Sequence, residues 1–293
     1  MQGSNSVQIV EARAAGKPVA FKSILLGLAP AETGQAAIQY ALSLGSTLGA
    51  HVSACSYALS PDLPNTAVLS WMRDNVVQGH ATAVKEQAAA AVNRFRNEAK
   101  KFKVGITTQV LRASLNRAVV SFGEEARLHD VTIVTQSERG IDHAGDLFAE
   151  ASLFYSGRPL ILVPRDHSAG FCADRVLVAW DGSQHATRAV AQAMPILYLA
   201  KKVEVLVVGS KEKVERTHAA KIVKNLERHD LDVELICRDE PDEVDTIVRE
   251  AEVGQASMLV MGGYGHSRAR EIFFGGVTRY MMSETQLPVL MAH

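Results

Sequence analysis

The chain has 293 residues, 47% hydrophobic and 22% charged, with 31 basic and 32 acidic side chains for a net charge of -1. At ~150 residues per domain this length suggests two domains with their own cores, and the balanced charge excludes the electrostatic footprint of a general nucleic-acid binder. No apolar run approaches the ~18 residues of a membrane span.

The opening Met1–Ser6 stretch has no charged-then-apolar pattern, so no secretory signal is expected. Three widely spaced cysteines, Cys55, Cys172 and Cys237, fit a reduced cytosolic protein better than a disulfide scaffold. Cys55 and Cys237 fall in apolar strands and read as small core residues.

In chain order, β-branched and aliphatic runs alternate with helical periodicity. The first half predicts strands near 23–28, 51–57, 106–111, 131–135 and 160–164, and helices near 33–48, 74–102, 115–128 and 145–156. The second predicts strands near 175–180, 203–208, 232–237, 257–261 and 288–292, and helices near 183–200, 212–229, 241–253 and 270–284. The series repeats once, and the polar stretch 166–171 reads as the junction. Two α/β domains with parallel sheets and right-handed crossovers follow, at 1–168 and 172–293. Between its second and third strands the first half carries extra residues, including the Pro- and Asn-containing loop Ser60–Asn65. That excursion is either a lid or partner surface, or a tolerated surface loop.

Ligands of open parallel sheets bind beyond the carboxyl ends of the strands, where strand order reverses. In the second half those loops hold Asp181, Gly182 and Ser183 after the first strand, and Gly262, Gly263, Gly265, His266 and Ser267 after the fourth. Gly275 and Gly276 then open a helix, and backbone N–H groups at a helix N-terminus form an anion site. A carboxylate at 181 can accept hydrogen bonds from ribose hydroxyls. The same triplet also reads as a turn with a helix cap. No G-x-x-x-x-G-K-[ST] occurs, and Arg268 stands where a third glycine of G-x-G-x-x-G belongs, which argues against a dinucleotide site. Gly262, Gly265 and Gly275 do satisfy G-x2-G-x9-G. His266 and Arg268 either meet phosphates or are solvated. The paired His129, Asp130 and His229, Asp230 read as helix ends and not as metal ligands.

With this repeat, Asp181 and the glycine spacing, the chain resembles a tandem member of the universal stress protein family. The resemblance implies two flavodoxin-like (adenine nucleotide alpha hydrolase-like) doubly wound domains, each a five-stranded parallel sheet of order 3-2-1-4-5. It implies ATP, or ADP or AMP, as cofactor, with Mg as an optional companion, and a cytoplasmic stress-response role. Carried residue by residue, the implied nucleotide site is Ala179, Asp181, Val208, Met261, Gly262, Gly265, His266, Gly275, Gly276, Val277 and Thr278. It also implies pairing through the last strands, as an intrachain pseudo-dimer or a homodimer. Gly276 departs from the family's usual Ser or Thr, and the lost contact to a charged group is worth ~1.5–3 kcal/mol. No positioned general base is evident, so at most a weak ATPase is expected. A scaffold that binds no nucleotide is the alternative.

The first half departs further. Ala29 aligns with Asp181, and Ala149, Glu150, Ala151 and Ser152 align with Gly275 to Thr278. Glu150 sets a carboxylate where phosphate belongs, so this half is not expected to hold ATP in the family manner.

Overall fold

In the computed structural model the described residues are 20–28, 34–60, 78–137, 143–263 and 276–293. The first half runs β1 (Ser23–Gly27), α1 (Gln35–Leu48), β2 (His51–Ser60), α2 (Gln78–Ala99), β3 (Ile106–Ser114), α3 (Leu115–Ala126), β4 (Val131–Thr135), α4 (His143–Tyr155) and β5 (Leu160–Val163). The second runs β6 (Arg175–Ala179), α5 (Gln184–Leu197), β7 (Lys202–Val208), α6 (Lys211–Arg216), α7 (Ala219–Glu227), β8 (Val233–Arg238), α8 (Glu243–Val253), β9 (Met258–Gly262), α9 (Gly276–Glu284) and β10 (Val289–Ala292).

All ten strands join one sheet of order β3-β2-β1-β4-β5-β10-β9-β6-β7-β8. Each half therefore has the order 3-2-1-4-5, and within each half neighbouring strands are parallel. The halves meet where β5 and β10 pair antiparallel, Ile161 opposite Leu290. All four residues of each are buried, so an apolar edge that would invite aggregation is covered within the chain.

The central strands are nearly continuous apolar runs because helices cover both faces, whereas the edge strands β3 and β8 carry exposed residues among partly buried ones. Side chains alternate across the sheet. Ile24, Leu26, Val176 and Val178 point to the layer of α1, α2, α5 and α7. Leu25, Leu160, Leu177 and Met291 point to the layer of α3, α4, α8 and α9. Both layers run unbroken through both halves. The junction is docked on α1: Phe171 N–H donates to Ser43 Oγ at 2.7 Å, and the Phe171 ring meets Tyr40 edge-on at 5.7 Å. Asp130 accepts from the N–H groups of Lys22 and Ser23 at 2.7 and 3.0 Å, which fixes the entry to β1.

Three expectations are corrected. The helix near 212–229 is two helices, broken at Thr217 and His218, where His218 takes φ 53°. Cys237 is exposed while Cys55 is buried. β8 is an edge strand, and on that face only its earlier residues Val233 and Leu235 pack under helices. β2 and β3 also pair beyond their apolar runs, as far as Ser60 opposite Ser114, because ladder bonds need no apolar side chain. The loop Pro61–Asn65, residues 74–77 of the helix expected near 74–102 and residues 270–275 of the helix expected near 270–284 lie outside the described residues.

Leu290 is fully buried on the seam. Leu290→Ala is expected to lower stability by about 2–5 kcal/mol. Urea denaturation reads this, and an unchanged midpoint would show that the seam contributes nothing to stability.

Candidate functional site

The site begins where β6 ends. Trp180 turns inward, and its indole Nε1–H donates to the Thr217 carbonyl at 2.9 Å. Gly182 sits at φ 75°, and a Cβ there would stand 2.9 Å from Thr217 Cα. Glycine is required on both counts. The helix break at 217–218 lets Thr217 meet both groups. Ser183 is the cap of α5, its Oγ accepting from Ala186 N–H at 3.1 Å. Asp181 is exposed, and its Oδ1 accepts from Ser183 N–H at 2.9 Å. The cap role in the triplet thus falls to Ser183. Asp181 forms the preceding turn and presents a carboxylate, a group with about four acceptor positions.

β9 delivers Met261 and Gly262. A Cβ on Gly262 would lie 2.7 Å from Ala186 N and 2.8 Å from His185 C. Only glycine lets β9 end this close to the start of α5. Across the gap α9 opens at Gly276, which is exposed, and among the described residues nothing lies within 4 Å of where its Cβ would be. Thr278 is buried in the first turn of the same helix.

Between these elements lies an open cleft of about 910 Å³, solvent at its mouth included. It sits at the carboxyl ends of β6, β7 and β9, at the reversal of strand order. Ala179, Asp181, Val208, Met261, Gly262, Gly276, Val277 and Thr278 all line it. Gly265, His266 and Gly275 lie outside the described residues.

Sequence reasoning missed five lining residues: Trp180, Leu206, Lys213, Glu243 and Ile247. Leu206, Val208 and Ile247 give the β7 end an apolar floor. Lys213 and Glu243 form an ion pair on its rim. The signal for that pair was available, since each stands in the first turn of the helix that follows β7 or β8. Gly209 at φ 137° lets the Lys213 stem lie against the backbone on its way to Glu243. Among the described residues no cluster of His, Cys, Asp and Glu is placed to hold a metal ion.

The matching place in the first half is filled. Gly27 aligns with Ala179, and a Cβ there would stand 2.9 Å from the Phe122 ring. By strand register Gly27 pairs with Cys55 as Ala179 pairs with Leu206, so Tyr57 takes the position of Val208. Tyr57 stacks on Phe148 at 5.3 Å, and Phe122 meets both rings edge-on at 6.2 and 5.2 Å. Three aromatic side chains thus occupy the volume that small aliphatic residues leave open in the second half. Glu150, aligned with Gly276 by sequence, is half-buried on α4, two turns past its start, whereas Gly276 is the first residue of α9.

Residues 173–293 match the model of the Universal stress protein family. Among solved structures, the chain is similar to a universal stress protein from Archaeoglobus fulgidus, at 13% identity and a TM-score of 0.69, covering 92% of this chain and 97% of that one. It is also similar to a functionally unknown protein from Pseudomonas aeruginosa, at 13% identity and a TM-score of 0.60, covering 93% and 92%. At that identity the likeness over the whole chain is one of fold. No curated protein matches the chain.

Burial, with the like charge of Asp146 added, holds Glu150 above the usual carboxylate range. Folding therefore favours its neutral form. The stability it contributes is complete below the ordinary Glu value of ~4.3 and is lost as pH rises through the raised folded value. Glu150→Gln is expected to raise the thermal midpoint at about pH 7, with the gain vanishing below about pH 4. Melting curves across that range check this, and an equal or lower midpoint at neutral pH contradicts it.

Proposed function

Because residues 173–293 belong to the universal stress protein family, we propose that the second-half cleft binds an adenine nucleotide, ATP or its products ADP and AMP. One observation carries this reading. Asp181, Gly262 and the first turn of α9 converge on a single cleft at the switch point of the sheet.

The fit follows from the chemistry of the walls. The apolar floor of Ala179, Leu206, Val208 and Ile247 suits a base. Asp181 can accept from ribose hydroxyls. The backbone N–H groups at the start of a helix such as α9 suit phosphates, on charge as well as hydrogen bonding. By the family resemblance alone, Gly265, His266 and Gly275 are assigned to the same nucleotide. Mg, where present, would be held chiefly by phosphate oxygens and water, as Mg generally is.

On this reading residues 1–168 and 172–293 are two domains, the first a companion that does not take nucleotide in the same way. Pairing of β5 with β10 makes the chain a pseudo-dimer. The protein acts in the cytoplasm, where occupancy of the cleft shifts its conformation or its choice of partner and so serves a regulatory or protective role. Among the described residues no helix is long and apolar enough to cross a membrane.

Gly276 favours a second reading, a scaffold that has lost its nucleotide, because the hydroxyl that the family usually supplies is absent. Titration calorimetry with ATP, ADP and AMP separates the two. Asp181→Ala is expected to weaken binding by about tenfold to a hundredfold, as for loss of a charged hydrogen bond. Gly276→Ser, where among the described residues nothing lies within 4 Å of the added Cβ, is expected to tighten ATP binding by about tenfold. A native protein that takes up no nucleotide at millimolar concentration would leave the scaffold reading in its place.

A further inference from the structure

The first half touches the second at the very segment that ends in the proposed site. α4 runs into the seam, and Leu153, itself buried, lies against Gly263. A Cβ on Gly263 would stand 2.8 Å from Leu153 Cδ2 and 3.4 Å from Cδ1. The next residue, Phe154, meets the His293 ring edge-on at 4.9 Å. His293 Nδ1 lies 3.1 Å from the Gly263 carbonyl oxygen, and Gly263 N–H donates to Ala292 at 2.8 Å. The same His293 ring stacks on His185 at 4.4 Å. His185 is in the first turn of α5 and packs where Gly262 passes. From the other side, Gln136 Nε2 donates to the Thr285 carbonyl, just past the end of α9, at 3.2 Å.

Two walls of the cleft therefore rest on the first half. One is the turn at Gly262 and Gly263 with the start of α5 beside it. The other is α9, held at its carboxyl end. We infer that Leu153 and Phe154 of α4 are positioning residues for the second-half cleft, and that the first half regulates its affinity through them. The inference rests on the nucleotide reading for the ligand, though not for the coupling itself. A turn that must hold backbone groups within hydrogen-bond reach of a ligand loses affinity when its support loosens, without losing any contact residue. α4 also carries Phe148, which plugs the first-half cleft. Any event that shifts that plug moves the helix that supports Gly263.

Phe154 is the residue to change, because it is 37% exposed and its truncation removes little core. Two readouts are taken on the full chain. ATP affinity comes from titration calorimetry, and backbone hydrogen exchange of 258–263 and of 131–135 is followed with no nucleotide present. Phe154→Ala is expected to weaken ATP binding by about tenfold, within the usual span of coupling between sites. It is also expected to speed exchange at 258–263 while 131–135 keeps its native rate. Phe154→Leu, which refills the contact, is expected to restore both. Native affinity together with native exchange at 258–263 in Phe154→Ala overturns the inference. Equal acceleration in both segments overturns it too, since that is general destabilisation. If the native protein takes no ATP, the exchange readout alone decides the coupling, and only the nucleotide reading fails.

Discussion

The antiparallel pairing of β5 with β10 is the constraint on which the rest of the molecule depends. Each half ends in a four-residue apolar strand that cannot remain bare at a sheet edge. Joining them satisfies both ladders and buries Ile161 against Leu290. It also makes one sheet of ten strands, with two helical layers that run through both halves. The same pairing brings the end of α4 over Gly263, so the geometry of the second-half site depends on a contact made by the first half.

Both halves share one topology, yet they differ at the carboxyl ends of their strands. The difference lies in side-chain volume at equivalent places. Ala179 and Val208 leave a cleft, whereas Tyr57, Phe122 and Phe148 close the matching space and press onto Gly27. Among the described residues, the three rings pack on one another in that volume, as dense interiors require. Charge adds to the contrast. The first turn of α9 carries no acidic residue where it lines one cleft, while α4 carries Asp146 in its first turn and a half-buried Glu150 further along.

Much of this was legible in the sequence. Strands such as Val131–Thr135 and Val289–Ala292 read as continuous apolar runs, and the repeat placed them in two series. Eight of the implied site residues lie among the described residues, and those eight line one cleft at the strand ends. The break at Thr217 and His218 was not legible. It depends on Trp180 and Gly182, about 35 residues away in sequence, needing the Thr217 backbone. Lys213 and Glu243 each follow a strand end closely in sequence, a signal that was available, and the pairing of β7 with β8 sets them side by side. The aromatic plug was hidden, since its three rings come from three separate elements.

The central claim is that one chain carries one open nucleotide cleft, in its second half, and one that its own side chains have filled. Diffraction from crystals of the full chain grown with millimolar ATP tests it most directly. The account predicts density for one nucleotide per chain, with the sugar at Asp181, the phosphates at the start of α9 and the base over Leu206 and Val208. Density beside Phe122 and Phe148 in the first half, or an empty second-half cleft under those conditions, would contradict it.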